Sequence, residues 1–206
     1  YTTNLRVTPN VTALEREAIP GERDNWEIGG DYEYRTDSGN RFKMLFISNK
    51  ANVASTRERF AVSADGSETK NLFLDTGSTT TERIVRGSYT MSLFENQDIE
   101  FGAEGAQTTL DSNLALGLAS STGTPSDAFG GLVPQNVSNA NSTVEEIRYE
   151  PFIIHNWIIN SRMSLESTLL YELSEISQSG DVSRKRDFDF IKPKIDFRYN
   201  LTPQLQ

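Results

Sequence analysis

Cysteine is absent from this 206-residue chain. That removes disulfide scaffolds, thiolate metal sites and cysteine nucleophiles together. Histidine is almost absent: His155 stands alone, which excludes a multi-histidine metal site, and no nucleophile-elbow motif accompanies it to build a Ser/His/Asp triad. There is no basic excess. With 20 Lys and Arg against 29 Asp and Glu, the formal net charge is −9, so the electrostatic footprint of a nucleic-acid binder is missing. No apolar run approaches the roughly 20 residues a membrane helix needs. The chain opens on Tyr1 without a signal peptide or initiator methionine and is expected to be a mature or excised segment. A mean hydropathy of −0.50 suits a soluble protein, but a membrane β-barrel shows lipid only every second residue and averages out the same way.

What is present is alternation. Few windows carry apolar residues at helical spacing; the best, residues 11–18, is soon ended by Pro20 and Gly21. Period-two stretches are long and frequent. Val85, Gly87, Tyr89, Met91 and Leu93 alternate with Arg86, Ser88, Thr90 and Ser92. Ile99, Phe101, Ala103 and Gly105 alternate with Glu100, Gly102, Glu104 and Ala106. Met163, Leu165, Leu169 and Tyr171 oppose Ser164, Glu166, Thr168 and Glu172, and Ile191, Pro193, Ile195, Phe197 and Tyr199 oppose Lys192, Lys194, Asp196 and Arg198. Each is a strand with one apolar and one polar face. Several reach the 9–11 residues of a tilted membrane-spanning strand, beyond the five or six of ordinary strands.

Connections alternate in length. Short ones fall near 37–40, 95–98, 158–162 and 201–203; long ones, rich in Ser, Thr, Asn, Gly and Asp, fall near 15–25, 50–81, 111–143 and 177–186. Tight turns at one end and long loops at the other are the rhythm of an outer-membrane barrel. The expectation is an all-β protein: an antiparallel meander of about eight long strands, part of a transmembrane β-barrel. It forms a single domain over 1–206 without a plug, with long external loops near 50–81 and 111–143. Pairing Leu93 with Ile99 sets Met91 against Phe101, Tyr89 against Ala103 and Gly87 against Gly105, with Glu104 beside Ser88 and Arg86. Pairing Trp157 with Met163 sets Tyr149 against Tyr171 and Arg148 against Glu172. Residues 42–47 are apolar on both faces, so the hairpin at 37–40 has no evident register.

Residue roles follow from parity. Tyr89, Met91, Leu93, Phe101, Leu165, Leu169 and Tyr171 are candidates to face lipid. Arg86, Glu100, Glu104, Arg148 and Glu172 are candidates for a charged lumen network, with Glu82, Arg83 and Glu150 in the same set. Trp26, Trp157, Phe197 and Tyr199, with Tyr32 and Tyr34, lie near strand ends and suit an aromatic girdle; in a β-sandwich the same rings would be core. His155 shares the apolar parity of Ile153 and Trp157, which gives it a packing or interfacial role. Glu145 and Glu146 point to opposite faces and cannot work as an acid/base pair. Asp187 and Asp189 lack the glycine and distal glutamate of a calcium loop. No catalytic, cofactor or metal residue is assigned and no enzyme activity is expected. Arginine is expected to be tolerated better at Ser88 or Thr90 than at Met91 or Phe101.

Residues 81–87 (TERIVRG), 99–112 (IEFGAEGAQTTLDS) and 144–152 (VEEIRYEPF) resemble barrel strands of TonB-dependent outer-membrane receptors. So do 163–172 (MSLESTLLYE), 178–181 (QSGD) and 188–193 (FDFIKP). The resemblance covers most of the chain from Trp26 onward. It implies a 22-stranded barrel closed by an N-terminal plug, located in a bacterial outer membrane and importing scarce nutrients such as ferric siderophores or cobalamin. It implies as partners the outer-membrane lipid, the remainder of the barrel and its plug, a small-molecule ligand, and the inner-membrane TonB complex acting through the plug. The sequence has no plug, no coupling motif and no aromatic C-terminal residue, so an interior barrel segment is expected. Two alternatives carry different signatures. A complete eight-stranded barrel, an anchor or adhesin, would pair its first strand (near 4–12) with its last (near 191–199). A soluble β-sandwich binding module would show two packed sheets.

Overall fold

The computed structural model describes residues 2–8 and 11–201, with side-chain surroundings from Leu14 onward. Valine, isoleucine, threonine and aromatic residues recur throughout, and these fit a pleated surface best. The strands are β1 (Thr2–Thr8), β2 (Val11–Ala18), β3 (Gly21–Arg35), β4 (Arg41–Val62), β5 (Glu68–Phe94), β6 (Gln97–Leu118), the short β7 (Val133–Gln135), β8 (Asn141–Asn160), β9 (Met163–Gly180) and β10 (Arg184–Tyr199). One helical turn, Asp127–Phe129, lies between β6 and β7. All pairings are antiparallel, and all strands join one sheet in the order β1-β2-β4-β5-β6-β8-β9-β10, with β3 also on β4 and β7 on β6. The all-β antiparallel meander is therefore as expected.

β2 and β3 occupy one row. Ala18 faces Glu58 and Gly21 faces Ser55 on β4, three residues on along each strand, so there is no slip between them. Pro20, which has no N–H, interrupts the row, yet its carbonyl still accepts from the Thr56 amide at 3.0 Å. The sheet thus has eight rows. Residues 11–18, the best helical window by composition, are strand because β4 offers their backbone a ladder.

The sheet is open. β1 and β10 form its two ends and do not pair with each other, and the described residues contain no second sheet. Its hairpins step steadily sideways. Following paired residues from Arg41 gives Thr90, Glu100, Ile154, Thr168 and Lys194. From that line the β3–β4 turn is centred about three residues away. The β5–β6 turn at Glu95 and Asn96 lies five to six past Thr90, and the β8–β9 turn at Ser161 and Arg162 seven to eight past Ile154. A constant one-way stagger is the register signature of tilted strands, the tilt a barrel wall needs.

Two expected registers are corrected by two residues each. Met91 faces Ile99 and Tyr89 faces Phe101; Trp157 faces Leu165 and Tyr149 faces Leu173, so Arg148 lies opposite Ser174 rather than Glu172. Tight two-residue turns cause this. Asn96 takes the left-handed conformation at φ 57, which Asn tolerates, and bulges at Ser92/Phe94 and Ile158/Asn160 absorb the odd residue. The stretches near 50–81, 15–25 and 177–186 are also mostly strand, not loop: β4 runs to Val62 and β5 starts at Glu68, β2 and β3 fill 15–25, and β9 and β10 leave only 181–183. Near 111–143 strand persists to Leu118 before an irregular segment. The turn expected at 201–203 falls mostly outside the described residues.

The β4–β5 hairpin closes tightly at 63–67. Asp65 accepts from the Ser67 amide and hydroxyl, which holds its carboxyl below the ordinary 3.8. A bidentate Arg16 guanidinium likewise holds Glu68 below 4.5. Both pKa values are depressed on folding, so this support is present above the ordinary values and lost as pH falls through the folded ones. Amide protection factors across 63–67 should therefore fall as pH drops below about 4.5. Arg16→Gln should flatten that part of the profile, and an unchanged profile in the variant would dissociate the pair from the hairpin.

Candidate functional site

The two faces of the sheet differ completely. One face carries Trp26, Ile28, Tyr32 and Tyr34 from β3, Phe42, Met44 and Phe46 from β4, and Val85, Tyr89 and Met91 from β5. It continues through Ile99 and Phe101, Tyr149, Ile153 and Trp157, Leu165, Leu169, Tyr171 and Leu173, and ends at Ile191, Ile195, Phe197 and Tyr199. The sequence-assigned lipid-facing and girdle residues lie on this face, except that Leu93 is the unpaired residue of the β5 bulge. These side chains remain open outward: Ile28, Ile191 and Ile195 are 61 %, 70 % and 75 % exposed. Among the described residues only Ala18, Ala106 and Phe152 are buried apolar side chains, so the sheet has no core in the soluble sense.

The belt has a fixed height. Trp26 and Tyr34 are eight residues apart on β3; Tyr149 and Trp157 are eight apart on β8. Following partners from Trp26 through Lys50, Thr81 and Thr109 reaches Glu145, four residues before Tyr149. Following them from Tyr34 through Phe42, Tyr89 and Phe101 reaches Ile153, again four before Trp157. Both aromatic edges thus climb by one residue per strand, the stagger of the hairpins themselves. Eight residues span about 26 Å along a strand and about 20 Å along an axis to which it is tilted by 40°.

The opposite face carries an ion ladder. Glu104 lies 3.5 Å from both Arg86 and Arg148; Arg148 lies 3.3 Å from Glu150; Lys192 lies 3.7 Å from Glu150 and bonds Glu172 directly. Three cations and three carboxylates alternate across β5, β6, β8, β9 and β10. Phe152, 6 % exposed, lies under the Arg86 guanidinium at 4.2 Å and across Gly102, whose missing Cβ leaves the ring its place. Arg86, Glu104, Arg148 and Glu172 are therefore gathered as sequence parity expects, although Arg148 reaches Glu172 only through the shared Glu150 and Lys192. Glu100 joins no ion pair. It lines a 360 Å³ concavity with Asp31, Lys43, Leu45, Arg86 and Ser88. Glu82 accepts from Asn49 at 2.8 Å on the same face.

Three readings change. Arg83 belongs to the apolar side, opposite Gln107 and Ser48; its odd number already carried that parity. Ser88 is buried at 7 % exposure beside Phe152 and Gly102, so arginine would not fit there and Thr90 is the sound polar-face comparison. Lys192 and Phe152 are central to the ladder yet had no assigned role, because the contacts of Lys192 with Glu150 and of Phe152 with Arg86 each reach across an intervening strand. His155 lies on the apolar side and its Nε2 meets Gln97 Oε1 at 2.9 Å. Asp187 and Asp189 join no group of three potential metal ligands, and none exists among the described residues. Every carboxylate of the ladder is engaged by a cation. That arrangement cross-links strands and presents alternating charge to whatever faces it. Comparison with protein-family models, curated proteins and solved structures finds no match.

Proposed function

We propose that this chain forms part of the wall of a bacterial outer-membrane β-barrel, of the TonB-dependent receptor type, with its apolar face toward lipid and its ion ladder toward the lumen. The observation that carries this reading is the apolar belt, about 20–26 Å tall and edged by Trp and Tyr at one residue per strand. Outer-membrane barrels carry an apolar band near 25 Å with aromatic girdles at both interfaces. An aqueous protein would have to cover such a face, since patches of this extent do not stay in water. The receptor type rests on the strand motifs, and it brings uptake of scarce nutrients such as ferric siderophores, a plug against the ladder and coupling to TonB as further parts of the proposal. The open ends at β1 and β10 suit a wall continued by other strands. They count against a small closed barrel, and a single sheet counts against a sandwich.

The absence of cysteine permits a clean test. Single cysteines placed along β9 of the chain in lipid bilayers are probed with a water-soluble maleimide. Cysteines at Leu165, Leu169 and Leu173 should resist labelling, and those at Ser164, Glu166 and Thr168 should react. Uniform labelling, or a folded monomer in water without detergent, would overturn the membrane reading.

A further inference from the structure

We infer that the outward face holds a binding site for the phosphate of an anionic lipid headgroup, formed by Lys50, Thr81 and Arg83; the inference rests on the membrane reading above. Lys50 of β4 pairs directly with Thr81 of β5, and Arg83 follows two residues on, so all three project from the same face. Directly paired residues and i, i+2 neighbours place their side chains roughly 5–7 Å apart, a gap that one phosphate bridges. The site interrupts the upper aromatic edge. That edge climbs from Trp26 on β3 to Tyr149 on β8 at one residue per strand and passes Lys50 and Arg83 on the way. These cations therefore sit at headgroup depth if the rings mark the interface.

Their surroundings leave the charges available. Among the described residues the Lys50 side chain makes no ion pair or hydrogen bond. Arg83 gives one donor to Gln107 at 3.1 Å and keeps the rest of its guanidinium, and Thr81 Oγ1 is unengaged. The nearby carboxylates on this face bond neutral donors and make no ion pair with Lys50 or Arg83: Asp24 accepts from Asn52 at 2.8 Å, Glu145 from Gln107 at 2.5 Å and Asp111 from Thr143 at 2.5 Å. The other cations high on this face are engaged: Lys185 is bound to Glu175 at 2.8 Å, Lys70 to Glu58 and Arg16 to Glu68. Two cations side by side on a lipid-facing surface, with no ion-pair partner among the described residues, are costly unless a counter-charge comes into direct contact. A phosphate oxygen cluster supplies that charge and accepts from the ammonium, the hydroxyl and the guanidinium together.

The test reconstitutes the full chain in phosphatidylcholine nanodiscs containing a small fraction of phosphatidic acid and measures which lipid stays bound by native mass spectrometry. The chain should retain phosphatidic acid over phosphatidylcholine. Lys50→Gln and Arg83→Gln should each lower that preference about fivefold and the double variant roughly 25-fold, while Lys43→Gln on the opposite face leaves it unchanged. An unchanged double variant, an equal loss in Lys43→Gln, or full displacement of the lipid by inorganic phosphate would each overturn the inference. The cysteine labelling separates the two readings: alternating labelling with no lipid preference sinks this site alone, and uniform labelling sinks both.

Discussion

Arginine in place of Phe101 is expected to weaken folding into a bilayer by about 2–4 kcal/mol, whereas Thr90→Arg on the opposite face should cost far less. Phe101 sits near mid-height between the two aromatic edges and packs on Tyr89, with ring centroids 5.6 Å apart. With the proposed lipid against this face, a guanidinium there would have no water within a short reach and would either dehydrate or thin the lipid around it. Thr90 lies between Arg41 and Glu100 on the polar face, where a new cation meets water, the like charge of Arg41 and a carboxylate that joins no ion pair among the described residues. Urea titration of the chain folded in bilayers reads both costs directly. Equal penalties at the two positions would mean that neither face meets lipid.

The second large effect concerns a single methyl group. Gly102→Ala should destabilise the folded chain by about 1–3 kcal/mol by overpacking, while Gly87→Ala should be close to neutral. A Cβ at Gly102 would fall 2.6 Å from Phe152 Cζ and 2.9 Å from Ser88 Cβ, and closer still to the Gly87 carbonyl. That carbonyl belongs to a ladder and cannot yield cheaply. At Gly87 nothing lies within 4 Å, because its vacant side opens outward. Shaving the ring by Phe152→Leu in the Gly102→Ala background should recover part of the loss, a coupling that a double-mutant cycle measures. Additive costs would show that the ring and the glycine do not share one space.

These contrasts explain how far the sequence can be read. Alternation at 85–93 and 163–172 reports which face a residue occupies, and the girdle and lipid-facing candidates other than Leu93 lie on one side of the sheet. It does not report the partner. A two-residue slip conserves parity, so Leu93 opposite Ile99 and Met91 opposite Ile99 satisfy both faces equally well. Only the turn decides, and the turn depends on the backbone of Asn96 and on where a bulge falls. Residues 50–81 mislead for a different reason. Thr76, Thr79, Thr80 and Thr81 lie above the apolar belt, show no alternation and resemble loop composition, although threonine is a good strand former. The ladder was visible one strand at a time as charges of even number. Its assembly through Glu150 and Lys192 depends on β8, β9 and β10 lying side by side, a fact about topology.

The length of the β4–β5 hairpin has a practical side. From Lys50 to Val62 the strand continues for twelve residues, about 40 Å of stiff ribbon, or roughly 30 Å of height at barrel tilt. Its tip at Asp65 and Gly66 is a mast-head. Peptide spliced in there would be carried well clear of the aromatic belt, at little entropic cost to the ends that hold it. An epitope or fluorophore at that point would test the proposed orientation in intact cells without touching the belt or the ladder.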